Sequence, residues 1–268
     1  MKRNFSIQNL IYVTFLLLLS AISFACQKVI DVDLNSAAPQ IVIEGNISDS
    51  PGPYFVTLSK TVNFDQPNTF PPVSGAHVVM SDNVGNSELL TETSPGTYRT
   101  SVIQGTPERI YTLDVISEEK EYIATSTMPA PVKFDSLTLD NIRVGPERVW
   151  VFDVHFKDPA GVKNYYRFVE TRNSIISKRF FLYDDRIQDG ESITYALTPD
   201  TLHDRDLVVI SLQCIDKGVY DYFRTASQIS NGRGSQSASP ANPLSNFSNG
   251  ALGYFSAYVV RSKRMVVQ

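Results

Sequence analysis

The sequence predicts an all-β protein: an N-terminal immunoglobulin-like Greek-key sandwich over about residues 40–130, then a second β-rich domain with one short helix over 131–268. Three observations carry this. Short segments of alternating apolar and polar residues recur between turn residues about every 8–12 positions, the cue for a sandwich. The 268 residues include 13 Tyr and 15 Phe among many Val and Thr, with 15 Pro and 14 Gly spread along the chain, a composition suited to strands and turns. Two prolines in Met128–Val132, MPAPV, interrupt the pattern where a ladder could not continue.

In chain order, residues 1–25 read as a secretory signal. Lys2 and Arg3 precede an apolar run from Leu10 to Ile22 and the exit Ser23-Phe24-Ala25. The run is nearer ~13 residues than the ~20 of a spanning helix. Ser23-Phe24-Ala25-Cys26 resembles a loose bacterial lipobox, which implies cleavage before Cys26 and acyl chains on that residue. Several chains anchor far better than one, so the membrane is an expected partner through Cys26. Residues 26–39 then form a polar lipidated tether, shorter than ~50 Å at full reach. Asp31 and Asp33 in it fall short of the six or more oxygens that calcium takes.

The mature chain keeps 22 of the 24 Lys and Arg, since Lys2 and Arg3 leave with the signal, against 28 Asp and Glu, so its net charge is −6. An acidic chain without a basic cluster argues against nucleic-acid binding. Cys214 is the other cysteine. It shares a strand face with Val208, Ile210 and Leu212, which predicts a buried, inert thiol.

From Gln40 the strand signals are regular. Residues 41–48 set Ile41, Ile43 and Ile47 on one face; 54–60 do so with Tyr54, Val56 and Leu58. Strands follow at 76–82, around Tyr98, and at 109–117 and 121–128, with turns at 83–86 and 94–96. Beyond the prolines, 148–158 alternates Trp150, Phe152, Val154 and Phe156 against Asp153, His155 and Lys157. Strands at 164–172, 178–185, 191–199 and 206–214 come next, with Asp189-Gly190 as a hairpin turn. A helix over about 217–229 places Val219, Tyr222, Phe223, Ala226 and Ile229 at helical spacing behind an Asp216 N-cap. Residues 231–250 read as a long polar loop, of the kind that is functional or mobile, and 251–262 as a final strand.

Motifs for chemistry are sparse. His77, His155 and His203 are dispersed, with no HExxH or CxxC spacing, so neither metal nor cofactor is expected. His203 has no G-x-S-x-G elbow to serve. Asp184, Asp185, Asp189 and Glu191 cluster, yet flank the turn at Gly190 and are expected to face water. Surplus aromatics are the better lead: Tyr165, Tyr166, Phe247, Tyr254 and Phe255 are the candidates for a stacking or docking surface. Asp135-Ser136-Leu137 and Asp200-Thr201-Leu202 look like D-(S/T)-hydrophobic O-glycosylation acceptors, at Ser136 and Thr201.

Two resemblances add to this. The order G-x-I, V-x-x-A-x-V, G-x-Y and Y-x-L-x-V resembles carboxypeptidase-regulatory and other immunoglobulin-like modules. Cys26 followed by VIDVDL, then IVIEGNIS, TMPAPVKFDSL and, most specifically, PANPLSNFSNGALGYFSAY (240–258) resemble the Bacteroidetes envelope lipoproteins of domain of unknown function 4249. That resemblance covers essentially the whole mature chain. It implies an outer-membrane-anchored lipoprotein in the company of TonB-dependent receptors, with no catalytic residues to transfer. The expectation is a non-enzymatic accessory or binding protein whose 231–258 segment makes the contact. The alternatives are an independent carbohydrate- or peptide-binding surface lipoprotein and, third, a hydrolase.

Overall fold

In the computed structural model, residues 38–268 are described, apart from 64–66, 68, 146, 200 and 231–241. The signal peptide, Cys26, nearly all of the tether, Asp200 and the first half of the long loop lie outside the described residues.

The chain is all-β with one helix. Its strands are β1 (Ile41–Ser48), β2 (Phe55–Lys60), β3 (His77–Asp82), β4 (Ser87–Leu89), β5 (Thr91–Ser94), β6 (Thr97–Arg99), β7 (Ile110–Ser117) and β8 (Lys120–Thr127). After the prolines come β9 (Phe134–Val144), β10 (Glu147–Lys157), β11 (Tyr165–Arg172), β12 (Ile175–Ile176), β13 (Phe181–Asp184), β14 (Ser192–Leu197) and β15 (Leu207–Ile215). Helix α1 (Lys217–Ser230) and β16 (Leu252–Val266) complete the order.

Three sheets share one core. The largest runs β12-β11-β15-β16-β1-β2-β6-β5, with β13 also on β11; the smaller two are β4-β3-β7-β8 and β14-β10-β9. Both smaller sheets cover the same face of the large one. A Cβ on Gly45 of β1 would touch the Leu113 side chain of β7 at 2.9 Å, and Phe156 of β10 lies against Tyr166 of β11, ring centroids 4.8 Å apart. The fully buried Ile43, Val56, Leu113, Phe152, Phe168, Ile210 and Phe255 belong to this one interior. Alternation selects them as expected: Tyr54, Val56 and Leu58 point in, as do Val208, Ile210, Leu212 and Cys214.

The junction at Met128–Val132 does not divide the sheets. The last strand returns to the first: β16 pairs in parallel with β1 from Val42–Leu252 to Ser48–Tyr258, and antiparallel with β15 through its second half. One ladder therefore joins residues on both sides of the prolines, and a division at 130 cuts through it. Gly253 makes the close approach feasible. Its φ is +93°, and a Cβ there would lie 2.1 Å from the Ile43 carbonyl oxygen, inside any allowed contact.

Two local expectations differ. β9 carries no sequence-level expectation, although Leu137 and Leu139 alternate with polar residues along it; it is the edge of its sheet, with Asp135, Ser136, Thr138 and Asp140 exposed. Asp189-Gly190 does turn, Gly190 having a φ of +74°, but it makes no hairpin. β13 before it pairs with β11, while β14 after it pairs with β10. The turn hands the chain from one sheet to another.

Candidate functional site

The outer face of the large sheet builds the site. Because side chains alternate, β16 sends Phe255, Ala257 and Val259 into the core and Tyr254 and Tyr258 out; β1 likewise turns Asn46 and Ser48 outward, β15 Gln213, and β11 Arg167 and Val169. Helix α1 covers one part of this face, its Tyr222 and Phe223 rings packed on Tyr254 with centroids 4.8 Å apart in each case. Beside the helix remains a cleft of about 450 Å³, rimmed by Pro51, Pro53, Phe55 and Ile176.

Asp216 sets the helix in place. Its Oδ1 accepts the Val219 N–H at 2.9 Å, the cap expected from sequence. Its Oδ2 accepts the Ser126 hydroxyl at 2.6 Å and the Thr127 N–H at 2.9 Å, tying the helix start to β8. Tyr54 sets the opposite rim. Its hydroxyl donates toward the carbonyls of Ser48 and Ser50 at 2.7 and 2.6 Å, and accepts the Gly105 N–H, which holds the turn containing Pro51 and Pro53.

Arg167 is the centre. Its guanidinium stacks on the Phe223 ring, 3.9 Å from the centroid, and donates to Gln213 Oε1 at 3.3 Å. Desolvation lowers its pKa, against the nearby Tyr254, Tyr258 and Tyr222 hydroxyls, which act to raise it. Among the described residues no carboxylate lies within ion-pair distance of it. Other arginines do have such partners: Arg109 with Asp82 at 2.9 Å, Arg186 with Asp184 at 2.6 Å, Arg261 with Asp49 at 2.6 Å. Glu44, opposite Tyr254 on β1, is a carboxylate of this face; it acts on Tyr222 and Tyr254, and desolvation raises its pKa. A cation without an ion-pair partner in a desolvated cleft, flanked by tyrosines and amides, is suited to an anionic group.

A second cleft, about 470 Å³, lies between the β3–β4 turn and residues 102–109. Its charges are committed. Glu88 accepts the N–H groups of Ser101, Val102 and Ile103, and Arg109 is held by Asp82. Desolvation alone would raise the Glu88 pKa, but these three donors outweigh it and hold the carboxyl below its ordinary range.

The acidic cluster is only in part the solvated turn that its spacing suggests: Asp189 and Glu191 are exposed, while Asp184 is half-buried. Asp185 is buried, and Asp158, at the end of β10, joins it and Asp189 with carboxylate oxygens within 4.8 Å of one another. Each carries protein hydrogen bonds. Asp158 accepts from the Tyr166 hydroxyl and the Gly190 N–H, Asp185 from the Asn164 N–H at 2.7 Å, and Asp189 from the Gly161 N–H at 2.9 Å. The trio clasps the 158–164 loop to the 185–190 loop. Its oxygens suit a hard cation in kind, but three carboxylates are fewer donors than the six to eight oxygens calcium collects. Asp184 points elsewhere, to Arg186 and to the Tyr220 hydroxyl at 2.7 Å. His203 is exposed and lies 3.7 Å from Asp206, while His155 meets the hydroxyls of Thr138 and Thr194.

The predicted aromatic surface divides. Tyr166, Phe247 and Phe255 are core residues with at most 8% exposure. Tyr165 and Tyr254 are half-buried against α1, and of the five only Tyr254 borders the cleft. In the 242–258 segment Asn246 fixes the backbone, accepting the Phe255 N–H at 2.9 Å and donating to the Phe255 carbonyl at 2.8 Å. Ser136 and Thr201 are both exposed. Sequence reasoning missed Arg167, although one signal was available: a charged residue on a strand with aromatic neighbours, YYRF (165–168).

A family model for a domain of unknown function, DUF4249, matches residues 27–264. The chain belongs to the DUF4249 family. The segment that carried the resemblance most specifically, ending in GALGYFSAY, is the one that lays β16 beside β1 and frames the cleft. No curated protein matches. Among solved structures, the Yersinia pseudotuberculosis adhesin InvE is 19% identical, with a TM-score of 0.23; the match covers 65% of this chain and 55% of the adhesin, so the chain spans about half of its length. The chicken interferon gamma receptor alpha chain is 8% identical with a TM-score of 0.20, covering 66% of this chain and 90% of the receptor. Neither likeness bears on function.

Proposed function

We propose that this DUF4249 protein is a lipid-anchored cell-envelope binding protein without a catalytic role, held at the outer membrane through Cys26. There it serves as an accessory to a TonB-dependent transport system. The cleft around Arg167 carries the binding part of the reading: a desolvated cation with no described carboxylate in ion-pair contact, on a rigid sheet, with mixed polar and apolar walls, is an arrangement for holding a ligand. The leader and the Ala25-Cys26 step support the anchorage. A tether that short keeps the fold near the bilayer, so a membrane-embedded partner is within reach.

Two measurements test it. Mass spectrometry of the mature amino terminus from native membranes should find an acylated Cys26; an unmodified terminus elsewhere rejects the anchor. Affinity purification from the same membranes should co-isolate an outer-membrane receptor. Recovery of the protein without any envelope partner counts for the independent binding role instead.

A further inference from the structure

We infer that the Arg167 cleft receives the carboxyl terminus of a peptide, its terminal carboxylate on the guanidinium and its last apolar side chain on Phe55 and Ile176. This rests on the binding role proposed above and names the ligand.

The anion is a carboxylate because of what the lining holds. A guanidinium is a planar fork matched to a carboxylate. Here Gln213 holds one terminal nitrogen and the Phe223 ring supports the plane. No lysine and no second arginine lines the cleft, so one charge faces one charge. A phosphate dianion asks for more cations than this. Arg109, Arg186, Arg224 and Arg261 each hold a carboxylate in an ion pair, whereas Arg167 holds none among the described residues, and desolvation favours the neutral form of Glu44 on the same face. A ligand carboxylate supplies the counter-charge whose lack makes a desolvated cation costly.

The body of the ligand follows from the walls. Asn46 and Ser48, bonded to the Tyr254 and Tyr258 hydroxyls, and Gln213 line the walls with polar groups that can exchange partners with a peptide backbone. The rim is apolar: Phe55 is 47% exposed, Ile176 is 63% exposed, and Pro51 and Pro53 flank them. An acidic sugar presents hydroxyls on every side and would leave that rim wet. A chain ending in Leu or Phe covers it. The volume, about 450 Å³, falls in the usual range for ligand clefts of about 300–1,000 Å³.

The test uses the purified full chain and four-residue peptides labelled at the amino end, ending in Leu, Phe or Gly, each as the free acid and as the amide. Fluorescence anisotropy should show the Leu and Phe acids binding about tenfold or more tighter than their amides, the value of one charge-assisted contact. Arg167→Met, which keeps an apolar stem over Phe223, should lose the acid preference, and Arg167→Lys should keep part of it. Ile176→Ser, at an exposed edge where folding is not at stake, should weaken the Leu acid and leave the Gly acid unchanged. Equal binding of acids and amides overturns the assignment, as does no binding of any acid at about 1 mM. A digalacturonate that displaces the label better than unlabelled Leu acid overturns the peptide and leaves the anion site. Because the assay contains no membrane partner, its failure leaves the accessory role to be decided by the affinity purification.

Discussion

Removing the Asp216 carboxylate is the sharpest single test of how this fold holds its site. One side chain caps α1, anchors it to β8 and so keeps Phe223 beneath Arg167. Asp216→Ala loses the cap, worth about 1 kcal/mol, and two hydrogen bonds to an ionised acceptor, worth about 1.5 kcal/mol each at the low end. The Ser126 hydroxyl is 1% exposed and keeps only its role as acceptor from the Ala257 N–H at 2.8 Å. The total is about 4 kcal/mol. With a urea dependence of about 3 kcal/mol per molar, the unfolding midpoint should fall by about 1.3 M. Asp216→Asn keeps the Oδ1 acceptor but turns a donor toward Thr127, so it should cost about half as much. In a double-mutant cycle, Ser126→Ala should couple to Asp216→Ala by about 1 kcal/mol. A midpoint shift for Asp216→Ala below about 0.3 M, or no coupling, refutes the carboxylate as the link between helix and sheet.

Three further outcomes are expected. Gly253→Ala should cost about 3 kcal/mol, since a Cβ would meet the Ile43 carbonyl at a positive φ, and lower the melting temperature by about 6–12 °C; Gly85→Ala, also at positive φ but in open space, should shift it far less. Glu88 has a folded pKa below its unfolded one, so its contribution is complete above the unfolded value, about 4.3, and is lost as pH falls through the folded value. Glu88→Gln should therefore flatten the stability–pH curve below about pH 4.5 in acid titrations followed by circular dichroism. Desolvation pushes the Cys214 thiol up to about 12. Iodoacetamide at pH 8 should leave Cys214 unmodified in the native chain and alkylate it in denaturant, as read by peptide mapping; native labelling would show the strand face to be open.

Much of the fold was legible because alternation is a local property. Burial on β2 and β7 falls on the residues that the period of two selects, and on β10 and β15 it does so apart from Val151, Gln213 and Ile215, which are covered on the other face; α1 ends within a residue of its expected span. Edge strands were harder. β9 is solvated on much of its length, so Leu137 and Leu139 stand among Asp, Ser and Thr with little contrast. The aromatic candidates were misassigned for a related reason. Tyr166 and Phe255 lie next to Tyr165 and Tyr254 in sequence, and a single step along a strand exchanges core for outer face.

By itself the sequence determined the class, the strand faces, the capped helix, the inert cysteine and the family to which the chain belongs. Each depends on residues within a few positions of one another. What only the tertiary structure decided are relations across long separations. β16 lies beside β1, which places Tyr254 and Tyr258 next to Asn46 and Ser48 across some two hundred residues. Asp158 meets Asp185 and Asp189 through the change of sheet at Gly190. Arg167, an unremarked charge in a strand, becomes the centre of a cleft once Phe223, Gln213 and the 51–55 rim converge on it. Local periodicity sets which way a side chain points; which side chains it then faces depends on the order of strands in the sheet, and no window of sequence contains that order.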